Sequence, residues 1–403
     1  MFKKLALLVL CATAAWGADA QEIIEWRGVN RTGLFNETGL MKTWPQGGPT
    51  LLWSINGIGE GYSQIGIADN KIYVSGMKGS NNMGYISVID FNGKLLQQKQ
   101  YSTEWVGNYS GARAAVTING GKIYQFSGLG VLTCLDQNTL NVIWQKDVLK
   151  EFGAKQLEYG MNEAPLVIDN MVIITPGGSR NNIVALNKET GALIWSSPAK
   201  GEEAAYCSPI YIKDQEMPQI VNITQNSIVG ISLKDGKLLW SYNFPSRWNE
   251  QCNSPIYENG MLLCMTGNGY GAVMLKLENG GRSVSKVWES KELCNVFSAM
   301  VKVGNYVYGS TESRNWVCLE WNTGKLMHKT RARQSVPVTA DNLIYNYCDN
   351  GEVQLIAPNN TNLDVAGSFR VTMGTEQHWA DPVVHNGVLY IRHGDSLMAY
   401  KVK

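Results

Sequence analysis

Charge is scarce in this 403-residue chain. Only 17% of its residues are Asp, Glu, Lys or Arg, and 35 basic residues against 34 acidic ones leave a net charge of +1. So balanced a chain exerts no long-range pull on polyanions, which argues against nucleic acid as a partner. Histidine is scarcer still, and the four present (His328, His378, His385 and His393) show no metal-ligand spacing. No Gly-rich phosphate loop, serine nucleophile elbow or paired catalytic carboxylate motif occurs. No segment is apolar enough over sufficient length to span a bilayer. Beyond Cys11, the cysteines Cys134, Cys207, Cys252, Cys264, Cys294, Cys318 and Cys348 form an odd, dispersed set without a C-x-x-C pair. That pattern excludes a disulfide framework and fits buried thiols on strands.

The first 20 residues have a different character. Met1-Phe2-Lys3-Lys4 is basic, Leu5 to Ala15 is apolar, and Ala18-Asp19-Ala20 supplies a small-residue cleavage pattern. This predicts a signal peptide over 1–20, a mature chain starting at Gln21, and a periplasmic or secreted destination. Cys11 is preceded by Leu10, where lipid attachment needs a small residue, so a lipoprotein is not expected. Without the leader the basic count is 35 − 2 = 33 and the acidic count 34 − 1 = 33.

Glycine is abundant at 42 residues, with 18 Tyr and 13 Trp. Short strands joined by tight turns produce that balance. One unit recurs about every 45 residues. It opens as Ser208-Pro209-Ile210-Tyr211, Ser254-Pro255-Ile256-Tyr257, Ala164-Pro165-Leu166-Val167 and Asp381-Pro382-Val383-Val384, with weaker copies near Gln64, Ala115, Ala299 and Pro337. Its second half, Ile183 through Trp195, aligns with Ile228 through Trp240 and Leu132 through Trp144. Asp69-Asn70, Asn119-Gly120, Asn259-Gly260 and Asn386-Gly387 read as hairpin turns, because Asn and Gly accept positive φ. The Trp that ends the fourth strand reads as a cover for the seam to the next unit.

Eight units of four antiparallel strands predict an all-β, eight-bladed propeller over residues 51–403, after an irregular lead-in over 21–50. The chain ends on Leu397–Lys401, a third strand with no fourth after it. The missing fourth strand stands at the other end as Leu51–Ile55, so pairing these segments closes the ring.

The unit "LDxxTGxxxW" followed by "SPxxxxgxxY" resembles the pyrroloquinoline-quinone-type propeller repeat. Trp26-Arg27-Gly28-Val29-Asn30-Arg31-Thr32-Gly33 resembles the lead-in of secreted bacterial members. That family includes quinone-dependent alcohol dehydrogenases and non-catalytic scaffolds such as the lipoprotein BamB, which is of similar length. The resemblance therefore implies the fold and leaves two functions open: a binding or scaffold propeller, or an alcohol or polyol dehydrogenase. The dehydrogenase reading implies pyrroloquinoline quinone and calcium, with Glu163 and Asn253 as calcium ligands and Arg333 polarising the quinone. Asn295 stands where the proton-accepting Asp would be expected, and the adjacent-cysteine ring is absent.

The loops entering each first strand converge at one mouth of the axial channel, and their residues differ from blade to blade. The candidates there are Tyr62, Tyr109, Arg113, Glu163, Tyr206, Trp248, Asn253, Arg333, His378 and Trp379. Aromatic groups beside polar ones suit an envelope protein or a saccharide. Cys207, Cys252 and Cys294 fall at matching positions on three successive blades, leaving a disulfide or soft-metal site open beside the simpler reading of separate thiols. A monomer is expected.

Overall fold

The computed structural model describes residues 23–297 and 299–403. The leader, Cys11 and the cleavage site lie outside the described residues. The chain forms eight antiparallel four-stranded blades. Blade 1 runs Gly66–Ala68, Lys71–Lys78, Met83–Asp90 and Leu95–Thr103. Blade 3 runs Leu166–Ile168, Met171–Ile174, Ile183–Asn187 and Leu193–Ser197; blades 2, 4, 5, 6 and 7 begin at Thr117–Asn119, Ile210–Ile212, Ile256–Glu258, Met300–Val303 and Ser335–Ala340. Blade 8 is built from both ends: Val383–His385, Val388–His393 and Ser396–Lys401 are completed by Thr50–Asn56. In that last pair Ile55 lies opposite Leu397 and Leu51 opposite Tyr400, so the two termini close the ring.

Burial follows position in the blade. In blade 3 the second strand is buried at every residue, while the fourth is exposed at Leu193 and Ile194. The inner strands are covered on both faces by neighbouring blades, and so read as apolar runs more than as strict alternation. One core cluster joins Ile173, Ala185 and Trp195 of blade 3 to Ile220, Val229 and Ile231 of blade 4.

Asp69-Asn70, Asn259-Gly260 and Asn386-Gly387 form two-residue hairpin loops with positive φ. In blade 2 the loop sits one residue later than expected. Asn119 pairs with Lys122, and Gly120-Gly121 make the turn, because two consecutive glycines meet the positive-φ demand more cheaply than Asn-Gly.

The seam tryptophans pack against the next blade. The indole N–H groups of Trp53, Trp144, Trp195 and Trp288 donate to the carbonyls of Phe91, Lys188, Leu233 and Trp321. Each ring lies over the turn glycine of that blade. At Gly191 (φ 70°) an added Cβ would stand 2.9 Å from Trp144. Where blade 1 has Gln97 in place of Trp, blade 2 has Leu140 in place of the glycine, and Gln97 reaches Thr139 instead. At these four seams tryptophan and glycine occur as a pair, whereas Trp240 turns its indole N–H back to Gln219 of its own blade at 2.7 Å.

The lead-in fills the axial channel. Ile24 bridges Ile67 of blade 1, and Leu34–Phe35 adds in parallel to Ser335–Ala340 of blade 7. Between them, two buried arginines reach across the ring. Arg27 donates to Asp381 of blade 8 and to the carbonyl of Met300 in blade 6 at 2.8 Å. Arg31 donates to the carbonyls of Ala164, Pro165 and Pro209 at 2.7–3.0 Å. Inner-strand carbonyls that would otherwise face the channel are thereby satisfied.

Candidate functional site

At the mouth where the loops enter the first strands lies a cavity of about 270 Å³. Tyr62, Tyr109, Arg113, Tyr206 and Trp379 of the expected set line it, joined by Tyr159, Phe297, Asn162, Glu250 and Cys252. Trp26 of the plug and Asp381, held by Arg27, line it from the channel side, so the cavity is a blind bowl. Trp26 is anchored by its indole N–H to Ser254 at 3.3 Å.

The aromatic rings form a chain around the wall. Trp379 lies 4.7 Å from Tyr109, 5.1 Å from Phe297 and 5.3 Å from Tyr62. Tyr159 follows Tyr109 at 6.3 Å and precedes Tyr206 at 6.2 Å. The Arg113 guanidinium sits 5.7 Å from the Tyr62 ring centre and donates through Nη2 to the carbonyls of Asn108 (2.9 Å) and Tyr109. These bonds hold Tyr109 in the left-handed region at φ 56°, a costly conformation for a bulky side chain. Burial pulls the Arg113 guanidinium down from its usual range and pushes the Glu250 carboxyl up.

The other expected residues do not line the bowl. Trp248 is exposed (58%) and packs beneath the Arg247 guanidinium. His378 stacks on His393 at 3.8 Å, with Nδ1 2.5 Å from the Tyr347 hydroxyl; burial, then His393 and Arg370, push it down to about 4. Glu163 and Asn253 are buried in the ring, and Arg333 reaches outward to Asp349 at 3.6 Å. Asn162, Glu250 and Phe297 belong to the same pre-strand loops and are found by the same repeat phase. Trp26 is not, because nothing in the repeat places the lead-in. None of the seven described cysteines forms a disulfide. Cys252 borders the bowl, while the Cys207 thiol lies against the Asn253 carbonyl, 3.2 Å away.

The model of the protein family described as outer membrane protein assembly factor BamB matches residues 82–330. The chain belongs to this family. BamB of Shewanella oneidensis is 26% identical over 235 residues, covering 55% of this chain and 57% of that protein. An uncharacterized protein of Rickettsia conorii is 22% identical over 245 residues, covering 58% and 54%. The chain thus spans a little over half the length of these curated relatives. Among solved structures, BamB from Moraxella catarrhalis superposes with a TM-score of 0.65 at 14% identity, covering 88% of this chain and 99% of that one. A europium-containing methanol dehydrogenase gives 0.68 at 12%, covering 94% and 90%. The quinohemoprotein alcohol dehydrogenase of Comamonas testosteroni gives 0.67 at 14%, covering 94% and 80%. At these identities the likeness establishes the fold alone.

Dehydrogenases with this fold raise the question of whether a BamB-family chain retains residues for a quinone and calcium. The three loose matches do not assemble such a site. One Glu163 oxygen accepts the Thr175 N–H at 2.9 Å and the other is buried without a partner. Burial raises its carboxyl to about 8, opposed by the Thr175 hydrogen bonds and by the plug's Arg31, a cation that already occupies the electrostatic place a calcium ion would take beside it. The Asn253 amide bonds the Asn295 carbonyl (2.8 Å) and the Ala299 N–H (3.0 Å), joining blades 5 and 6. Among the described residues no cluster of three or more His, Cys, Asp or Glu side chains is placed to hold a metal ion.

Buried carboxyls shape the pH dependence of stability, and Glu25 and Asp381 are raised by burial in the same sense as Glu163 and Glu104. Burial raises Glu163 to about 8 and Glu104 to about 7. A carboxyl raised on folding stabilises fully below its unfolded value near 4.5, and that contribution is lost as pH climbs through the folded value. His328 and His378 are lowered, so their effect falls below pH 6.5, where the unfolded chain charges. Between pH 6.5 and 8 the carboxyls dominate. Stability is expected to fall by on the order of 1 kcal/mol per pH unit. Glu163→Gln, which keeps an acceptor for Thr175, flattens the slope. Urea midpoints across this window check it, and a flat wild-type profile contradicts it.

Proposed function

We propose that this chain is a non-catalytic propeller of the cell envelope, exported by its leader and acting as a monomeric scaffold that binds an envelope protein. Membership of a family described as an outer membrane protein assembly factor is the observation that carries this reading. It is supported by the engagement of Glu163, Asn253 and Arg333 in bonds within the ring. The aromatic bowl favours a second class of partner, a saccharide, at the mouth.

The reading is tested by adding pyrroloquinoline quinone and calcium to the purified mature chain. No rise in melting temperature and no dye-linked oxidation of alcohols or polyols is expected. Turnover that Glu163→Gln abolishes overturns the proposal in favour of the dehydrogenase. Partner binding is tested separately by cross-linking in the envelope. A reproducible cross-link from the propeller to an identified envelope protein supports a scaffold, and its absence counts against one.

A further inference from the structure

The bowl offers more than aromatic area. The Nη2 group of Arg113 is engaged by backbone carbonyls, while Nη1 makes no hydrogen bond among the described residues. Among the described residues the Glu250 carboxyl receives one long bond, from Asn268 Nδ2 to Oε2 at 3.4 Å, and none to Oε1. One cation and one carboxyl therefore face a small cavity whose remaining wall is Tyr62, Tyr109, Tyr159, Phe297 and Trp379. Asp381 adds no free charge, since Arg27 holds it.

We infer that the bowl binds one ring of a neutral saccharide. This rests on the binding-propeller reading and names the ligand class of its mouth. Three features select that class. The volume is at the small end of ligand pockets, which run from roughly 300 Å³ upward, and the plug closes its far side, so one ring is admitted and not a threaded chain. The aromatic faces match the apolar C–H faces of a sugar ring, as aromatic walls do for amphipathic ligands. The polar pair decides between neutral and charged occupants. Separate hydroxyls of one sugar ring can donate to Glu250 and accept from Arg113, so a neutral ring offers a partner to each. An anionic ring would face the Glu250 carboxyl, and a cationic one the Arg113 guanidinium. An aromatic peptide side chain would cover both groups and leave them unpaired, which is costly. The strained backbone of Tyr109, a rim residue 44% exposed, is held in place by the same arginine.

The test is a titration of the mature chain followed by tryptophan fluorescence, since Trp26 and Trp379 line the bowl. The probes are neutral tetrasaccharides of the gluco, manno, galacto and xylo series, with trigalacturonate, chitosan trimer and a tryptophan-capped tripeptide as competing classes. At least one neutral sugar is expected to bind with Kd of about 1 mM or tighter. Trp379→Ala and Glu250→Gln are each expected to weaken it by about tenfold. Should Trp379→Ala fail to fold, Glu250→Gln and Arg113→Lys carry the test, with melting temperature as the folding control. No binding across the neutral series overturns the inference, as does tighter binding of a charged or peptide probe, or an unchanged Kd in the variants. Such a failure leaves the scaffold reading to its own cross-linking test.

Discussion

Replacing Arg27 with Met is expected to destabilise the chain by about 3–5 kcal/mol, the cost of leaving one member of a buried ion pair without its partner. Arg27 and Asp381 are both almost fully buried, so the carboxylate left behind is poorly hydrated once the guanidinium is gone. The same guanidinium donates to the carbonyls of Met300 and Pro337, so blades 6, 7 and 8 all lose a bond to the plug. Asp381→Asn, which keeps an acceptor at the same place, is expected to cost less. The double variant Arg27→Met with Asp381→Leu is expected to recover most of the loss, because a well-packed apolar pair can replace a buried ion pair at little cost. Urea unfolding of wild type, Arg27→Met, Asp381→Leu and the double variant closes the cycle. An unchanged urea midpoint in Arg27→Met means that the lead-in does not hold the ring together.

The second large effect belongs to Arg392, at the seam where the ring closes. Its Nε donates to the Gly394 carbonyl at 3.0 Å. Nη1 donates to the Ser75 carbonyl at 2.7 Å and to both the carbonyl and the hydroxyl of Ser63, and Nη2 to the Gly59 carbonyl at 2.9 Å. The side chain is fully buried, and burial pulls its guanidinium down to about 10, which leaves it charged at pH 7. One planar fork thus ties blade 8 to the segment entering blade 1. Arg392→Leu strands these acceptors in the interior, each at about 1–3 kcal/mol before relaxation, so a loss of roughly 4–5 kcal/mol is expected, in the exceptional range for one substitution. Arg392→Lys rescues little, because a single ammonium cannot reach acceptors fanned around a guanidinium. Circular dichroism and urea melts of both variants measure this. Equal stability of Lys and wild type would show that charge alone, and not the fork, is what the seam needs.

Much of this architecture is legible in the residues. The Ser-Pro openings, the Thr-Gly turns and the tryptophan that ends the fourth strand mark the units, and the unmatched strands at the two ends predict the closure that Leu51 and Tyr400 make. The same phase points to the loops of the mouth, and it brings Tyr62, Tyr109, Arg113, Tyr206 and Trp379 to one bowl. It misplaces Glu163 and Asn253. A residue just before a first strand can turn toward the mouth or into the ring, and the repeat does not distinguish the two. Both turned inward, where Glu163 takes the Thr175 N–H and Asn253 bridges two blades.

By itself the sequence determined the blade: its four strands, their turns, the tryptophan–glycine seam and the number of copies. These are set by contacts local in the chain or repeated at a constant spacing, and periodicity makes such contacts visible. Only the tertiary structure decided what fills the axis. Arg27 and Arg31 meet partners between 133 and 354 residues away, and no pattern within the lead-in encodes those distances. The closed ring presents carbonyls at the start of its inner strands to the axis. Two guanidinium groups satisfy them, and in doing so they bring Trp26 beneath the mouth and turn a channel into a bowl.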